Sequence, residues 1–273
     1  MVKKSKILTV GIPFHRGSKP EHFKAAVDSI ISQTQRASVC HLVQSGPVSN
    51  PLDKLADKYV AENAGFERIF VEKVGLAAAL NVSIQRCETI YYARMDSDDI
   101  SLANRFALQL AYFEKHPSTE ILGGWAKEFS TSNGIEKSVL KQMPIDPIEM
   151  RNWFHYRNPF IHSTVMFRRD VFHKLGYYDE TFLTDQDLQL WGRAINAEVA
   201  IANVPQVLIY FRTDNVIGRR SRLDAVIRQA KARFSVKSPS LKYTFLKCSA
   251  LLFRLLPKTI QYYGYRNFRS AGR

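Results

Sequence analysis

The chain has 273 residues, is 45% hydrophobic and carries a formal net charge of +14. That length and apolar share support a sizeable core, in one large domain or in one domain plus an appendage. Its three cysteines, Cys40, Cys87 and Cys248, lie far apart with no C-x-x-C spacing, which argues against a disulfide framework or a zinc site and fits a reducing cytoplasm. The charge is uneven. Residues 219–273 hold 14 Lys/Arg and one acid, Asp224, whereas residues 1–218 hold 25 basic and 24 acidic side chains. A nearly neutral domain over 1–218 and a basic appendage over 219–273 are expected, and such asymmetry points to a polyanion, either nucleic acid or an anionic membrane face.

The opening "MVKKSKILTVGIPFHRG" pairs a basic head with a short apolar run. Pro13, His15 and Arg16 break the run and no A-x-A site follows, so Ile7–Ile12 reads as a buried strand rather than a signal peptide. Residues 21–34 place Phe23, Ala26, Val27, Ile30 and Ile31 at helical spacing. Residues 38–43 read as a second strand ended by Gly46-Pro47, residues 51–65 as a second helix, 67–72 as a third strand, 75–87 as a third helix and 89–95 as a fourth strand. This alternation predicts a parallel, doubly wound sheet, whose ligands bind at the carboxyl ends of the strands. Residues 101–218 are less regular: a helix over 104–117, a strand within each of 119–131 and 163–172, and a helix over 184–198 with Thr184 and Asp185 as N-cap types.

Directly after the fourth strand comes "MDSDD", with Asp96, Asp98 and Asp99. An acidic turn is common by itself, but three carboxylates in four positions repel one another unless a cation offsets them. Mg²⁺ or Mn²⁺ takes oxygen ligands from one or two carboxylates plus substrate phosphates. The pattern therefore predicts a divalent metal holding a diphosphate.

Five segments resemble one family in order. "SIISQT" (29–34) is similar to its S-I-L-x-Q-T, "VGLAAALN" (74–81) to G-L-A-x-A-L-N, and "ARMDSDDISLANRFALQ" (93–109) to A-R-M-D-x-D-D with R-F-x-x-Q. "RNPFIHSTVMFRRDVF" (157–172) is similar to N-P-x-x-H-x-T-V-M-F-R, and "QDLQLWGRAI" (186–195) to E-D-x-x-L-W-x-R. Together they resemble the inverting glycosyltransferases of family 2, nearest those that build bacterial capsule, exopolysaccharide or O-antigen, over about residues 7–212. The resemblance implies a GT-A fold: an α/β architecture with a mostly parallel sheet flanked by helices, here followed by a basic helical tail. It implies transfer from a nucleotide-diphosphate sugar, with UDP favoured, to a saccharide or lipid-linked acceptor, using Mn²⁺ or Mg²⁺.

By that resemblance Asp96 faces the ribose and metal, Asp98 is the metal ligand, and Asp187 is the base that deprotonates the acceptor hydroxyl. Pro13, Ser45, Asn81 and Arg94 join Asp96 in the nucleotide-sugar pocket, and His162 and Trp191 lie on the acceptor side. Several side chains also have a plainer reading. Asn81 can cap its helix, Arg94 can neutralise the aspartates, His162 can be a bonded structural histidine, Trp191 can be core, and Arg193 can brace Asp187 or pair with a phosphate. The sequence departs from the family twice. Gln44-Ser45 stands where an Asp usually reads the base, and either can hydrogen-bond a uracil edge. Gln186-Asp187 replaces Glu-Asp in the register that keeps Trp191 and Arg193, with Asp185 a competing base.

Two other readings compete. A D-x-D phosphohydrolase also uses aspartates after a parallel strand, but after the first one. A nucleic-acid-binding protein would use the basic tail, where Tyr262, Tyr263, Tyr265, Arg266, Phe268 and Arg269 interleave. The tail also suits a lipid headgroup layer, and nucleic acid is not the expected partner. Residues 241–269 hold an apolar stretch from Tyr243 to Leu256, interrupted by Lys247 and Arg254 and too short to span a membrane. Phe245, Leu246, Leu252, Phe253 and Leu256 share much of one helix face, which predicts an interfacial helix on the cytoplasmic side of the cell membrane. Packing of that helix on the domain is the other outcome.

Overall fold

In chain order the elements are β1 (Leu8–His15), α1 (Pro20–Ile31), β2 (Val39–Ser45), α2 (Asn50–Glu62), β3 (Phe66–Val71), α3 (Leu76–Gln85), β4 (Tyr91–Arg94), β5 (Ile100–Ser101), α4 (Arg105–Lys115), β6 (Ile121–Phe129), β7 (Val139–Lys141), α5 (Pro147–Trp153), β8 (Met166–Arg168), α6 (Val171–Leu175), α7 (Gln186–Asn196), β9 (Ile201–Arg212), α8 (Leu223–Phe234) and α9 (Leu241–Phe253). A 3-10 turn, His162–Thr164, precedes β8. This computed structural model describes residues 6–130, 138–214, 223–257 and 259–260.

The strands form one sheet in the order β3-β2-β1-β4-β8-β6-β9-β5, with β7 on β6. β1 to β4 pair in parallel, as the alternating pattern predicts. The second half corrects the mostly parallel expectation. β8 runs antiparallel between β4 and β6, and β5 and β7 are antiparallel additions, while β6 and β9 pair in parallel. The reason is local: β8 starts at Met166 beside Ala93, near the carboxyl end of β4, so it must run back along that strand. The long strand β9 and the short β5 and β7 lie in the stretch that looked irregular in sequence.

Both faces of the sheet are covered, and side chains alternate between them with period two. Leu8, Val10, Ile12 and Phe14 of β1, with Ala93 and Met166, join Phe23 and Val27 of α1, Leu52 of α2 and Phe106 of α4 in one core. Their neighbours Tyr92 and Phe167 turn to the other face, into a core with Leu80 of α3, Phe172 of α6, and Leu188 and Trp191 of α7. Gly11 marks a close approach on that second face. A Cβ there would stand 2.0 Å from the Tyr92 hydroxyl, which is bonded to Ser83 Oγ at 3.0 Å. Pro13 is tolerated in β1 because β4 pairs no further than Gly11↔Arg94 on the side that its missing N–H would serve.

The chain beyond residue 218 enters the second core. Ala232 and Val236 are among its buried members. Arg233, also buried, donates to the backbone oxygens of Phe154 and Arg157 at the end of α5. Lys247 of α9 is 1% exposed and donates to Val236 O at 2.6 Å. Carbonyls at helix ends thus stand in for acids beside these two cations. His155, buried next to both, has its pKa pushed down to about 4 by burial, then Lys247 and Arg233. α8 is therefore packed as part of the domain. The aromatic-basic segment at 262–269 lies outside the described residues.

Candidate active site

The chain order reverses between β1 and β4: it steps outward through β2 and β3 and returns on the other side of β1. The carboxyl ends of those strands open a crevice at this switch point. Ser45 closes β2 beside His15 of β1, and Arg94 closes β4. Ser18 in the loop after β1 lies 3.2 Å, Oγ to Oγ, from Ser97 in the acidic turn.

The three aspartates have different environments. Arg94, 2% exposed, forks onto Asp96, with one nitrogen at 2.6 Å from Oδ2 and the other on Oδ1. Both Asp96 oxygens are thus engaged by a buried cation, and the expectation that Asp96 shares the metal is narrowed to its remaining lone pairs. Asp99, 1% exposed, accepts the Arg212 N–H at 2.9 Å through Oδ1. Burial, then Asp96 and Asp98, hold its carboxyl well above the usual range. Arg212 also donates Nε to Asp98 O at 3.0 Å and lies over the Phe129 ring, so β9 pins the turn. Asp98 is exposed to the crevice. Desolvation there, then Asp96, push its pKa up to about 6, against the pull of Arg94 and Arg212.

Among the described residues no cluster of three or more His, Cys, Asp or Glu is arranged for a metal. A protein-only cage is not what Mg²⁺ or Mn²⁺ requires, since one or two carboxylates with diphosphate oxygens suffice. Asp98 fits that role: it is exposed in the turn at the crevice, desolvation and then the Asp96 charge raise its proton affinity, and a cation would relieve the repulsion from Asp96.

Residues in the sequence motifs hold this turn from below. Arg105, fully buried, donates to Arg94 O at 2.8 Å and to Gln109, whose amide reaches Thr164 O at 2.9 Å. Burial, then Arg94, lower the Arg105 pKa to about 9. Gln33 donates to Leu102 O at 2.7 Å, and Ser29 Oγ accepts from Ser101 N. The "SIISQT" and "RFALQ" segments therefore fix the chain that follows the aspartates.

Asp187 stands in the first turn of α7, half-buried. Asn158 donates to its Oδ2 at 2.6 Å. Burial, then Asp185, raise its pKa, while Asn158 and the Arg94 charge act the other way. Asp185 is the N-cap residue, in the left-handed region at φ 61°, and its side chain makes no cap bond. Instead Oδ1 accepts from Gln229 of α8 at 2.5 Å, and Arg228 donates to Thr184 Oγ1. Asp185 is thus occupied in holding the turn.

Other expected residues take supporting places. Asn81 donates to Tyr178 O and Glu180 Oε1, both at 2.9 Å, and accepts from Tyr178 N. That corrects both of its sequence readings, since it clamps the loop before α7 and neither caps its helix nor offers a free amide to a nucleotide. Trp191 is 1% exposed between Phe160 and Phe167, so it is core and not an acceptor contact. His162 bonds the Tyr178 hydroxyl at 2.8 Å, and burial, then Arg94, hold its pKa well below the ordinary value. Arg193 braces the backbone oxygens of Leu175 and Tyr177 and does not contact Asp187. Gln44 is committed to Arg68 and to Gly46 O. Ser45 Oγ accepts from Gly75 N at 3.0 Å, which leaves its own proton to donate. Pro13 is buried in β1. Asn158 and Gln229 were assigned no role in sequence. Asn158 at least lies inside a quoted motif, whereas Gln229 lies in the stretch read as appendage.

Known proteins share this frame. Residues 9–176 match the family described as Glycosyl transferase family 2. The chain is 31% identical over 272 residues to the amylovoran biosynthesis glycosyltransferase AmsE of Erwinia amylovora, covering 97% of this chain and 100% of that one. It is 26% identical to an Escherichia coli UDP-Gal:alpha-D-GlcNAc-diphosphoundecaprenol beta-1,3-galactosyltransferase, over 90% of each chain. In fold it is similar to S. aureus TarS 1-349 in complex with UDP-GlcNAc, at 14% identity and TM-score 0.68 over 91% of this chain and 72% of that one. It is also similar to the mannosyltransferase PcManGT of Pyrobaculum calidifontis in complex with GDP-Man and Mn²⁺, at 15% identity and TM-score 0.66 over 92% and 71%. With an acidic turn after the fourth strand rather than the first, and a family match over more than half its length, the chain belongs to glycosyl transferase family 2.

Proposed function

We propose that this chain moves a sugar from a nucleotide-diphosphate sugar, with UDP favoured, to a hydroxyl of a saccharide or lipid-linked saccharide, with inversion at the anomeric carbon. One observation carries the reading: Asp187, raised in pKa and held by Asn158, feels the charge of the same buried Arg94 that forks onto Asp96 of the acidic turn. In-line displacement requires a base on the opposite side of the sugar from the leaving diphosphate. Asp187 takes the acceptor proton as that oxygen attacks C1, and the diphosphate departs on the side of Asp98. A divalent cation bound at Asp98 would supply positive charge to the leaving group. Asp96, oriented by Arg94, faces the ribose through its remaining lone pairs, and the Ser45 hydroxyl donates to a carbonyl of the base.

The UDP-sugars in the names of the E. coli relative and the TarS complex support the donor class, and the Mn²⁺ of the PcManGT complex supports the cation. The E. coli name also supports a lipid-linked acceptor. The product class is bacterial surface polysaccharide, and the working place is the cytoplasmic face of the cell membrane. No helix of the described residues is long and apolar enough to cross a membrane, and peripheral contact with that face is part of this proposal. The test is a screen of UDP-, GDP- and dTDP-sugars with Mn²⁺, reading nucleotide release with and without a saccharide acceptor. Release from a UDP-sugar that EDTA abolishes supports the reading; no release from any donor sinks it.

A further inference from the structure

α9 is amphipathic in the reverse of the usual sense. Its one buried side chain is a lysine, Lys247. Its outer stripe is apolar: Leu241 is 89% exposed, Phe245 72% and Leu252 63%, with Leu255 and Leu256 beyond the helix end also exposed. Leu241, Phe245 and Leu252 recur at the i, i+4 and i+11 spacing of one helix face. Leu246 and Phe253, grouped with that face from the sequence, are half-buried instead. α8 adds exposed Ile227 and Phe234, with the exposed Lys231 between them. Large apolar side chains gathered on an outward helix face call for an occupant.

Charge decides which occupant. The segment 219–273 carries 14 Lys/Arg against one acid. A second copy laid on this face would bring the same excess of positive charge against it. An anionic surface is attracted, and each Lys or Arg near it strengthens binding on the order of fivefold within a Debye length. Lys237 and Lys242 are exposed at the start of α9, and Lys258, Arg266, Arg269 and Arg273 follow it in sequence. Apolar stripe and cationic flank together are the composition of a helix lying in a membrane interface.

We propose that the outward face of α9, led by Leu241, Phe245 and Leu252, is a docking surface for an anionic lipid bilayer. This deepens the membrane placement in the proposed function and rests on it only for which leaflet is met. α9 packs against α8, whose Arg228 and Gln229 bond Thr184 and Asp185 in the turn before Asp187.

The experiment is flotation of the full chain with vesicles of phosphatidylcholine alone or mixed with phosphatidylglycerol, at low and high salt. It is repeated with Phe245→Glu plus Leu252→Glu, two exposed positions whose change leaves the packed face of α9 untouched. The wild-type chain floats with the mixed vesicles at low salt, and the double variant loses more than about tenfold in partition. Equal flotation of the two proteins, or no flotation of the wild type, overturns the proposal. So does a concentration-dependent dimer that the double variant abolishes without vesicle binding, which would make a second copy the occupant. Nucleotide release without vesicles is measured on both proteins. Its absence counts against the enzymatic reading alone, because flotation is scored independently.

Discussion

Asp187→Asn separates a base from a structural carboxylate, because the two roles predict opposite signs for stability. Burial and Asp185 hold the Asp187 carboxyl above its ordinary pKa. The folded chain then binds more protons than the unfolded chain between the two pKa values, and stability falls as pH rises through that window. At neutral pH the charged side chain is a cost to folding. The amide keeps the shape and an oxygen that still accepts from Asn158, while removing the charge. Melting temperature at neutral pH should hold or rise, and kcat should fall on the order of 10²–10⁴-fold, about 3–5 kcal/mol of barrier. Donor KM should move little, because Arg94, Asp96 and Asp98 are untouched. Asp185→Asn is the matched control. At φ 61° Asn is as well tolerated as Asp, and its oxygen still accepts from Gln229. Plateau kcat should persist, and the acidic limb of the profile should shift to lower pH, because a charge that raises the Asp187 pKa is gone. Acceptor-dependent transfer assays and thermal melts across pH read all of this. Retention of more than a tenth of kcat by Asp187→Asn, or the large loss appearing in Asp185→Asn instead, refutes the reasoning.

Asp98→Asn should weaken apparent Mn²⁺ affinity at least about tenfold in a titration of nucleotide release, while Asp99→Asn, at a buried site bonded to Arg212, should change stability more than metal response. Gln229→Ala releases Asp185 and the turn of α7, so kcat should drop with donor KM nearly constant; equal loss in both would make α8 a packing element only. His155, lowered to about 4 from 6.5, favours the neutral folded state, so stability is full above pH 6.5 and is lost by roughly a few kcal/mol as pH falls toward 4; His155→Gln should flatten that part of a melting-temperature profile. Gly11→Ala should cost about 1–3 kcal/mol in denaturant unfolding, and Tyr92→Phe in the same chain should restore part of it by removing the hydroxyl that the new Cβ meets.

The first hundred residues announce their fold because the central strands β1 and β2 are buried on both faces and α1 and α2 each carry one apolar stripe. "LTVGIPFH" is a continuous apolar run for that reason, and its neighbours follow in the order that a parallel sheet requires. The signal fades after residue 100 because β5 and β7 span two and three residues, too short for a period to register. β9 spans twelve residues but carries Pro205 at a point where its pairing with β6 is irregular, and that breaker hides a single long strand. The basic count beyond residue 218 suggested a separate arm. Composition does not reveal that Ala232 and Val236 are buried or that Arg233 and Lys247 point inward onto carbonyls.

The acidic turn shows how far charge density alone can be read. Three aspartates in four positions suggested one missing cation, and the structure divides the compensation among separate devices. Asp96 has its counter-ion in Arg94, which is itself buried and tied through its carbonyl to Arg105. Asp99 is withdrawn from solvent, bonded to Arg212 N and shifted toward its protonated form. Only Asp98 faces the crevice with its charge unspent on a side-chain donor. The cluster is dense because two of its members build the turn that aims the third. A lone aspartate on a flexible loop would give an incoming diphosphate and its cation a mobile ligand, whereas Arg94 below and Arg212 beside fix this one before any ligand arrives. Replacing Arg94 by Met should accordingly leave Asp96 and Asp98 with an uncompensated pair of charges, raise the proton affinity of Asp98, whose pKa Arg94 now pulls down, and make donor affinity fall as pH drops from 8 toward 6, a change that a calorimetric titration of UDP with Mn²⁺ at several pH values detects and that an equally tight, pH-independent variant would contradict.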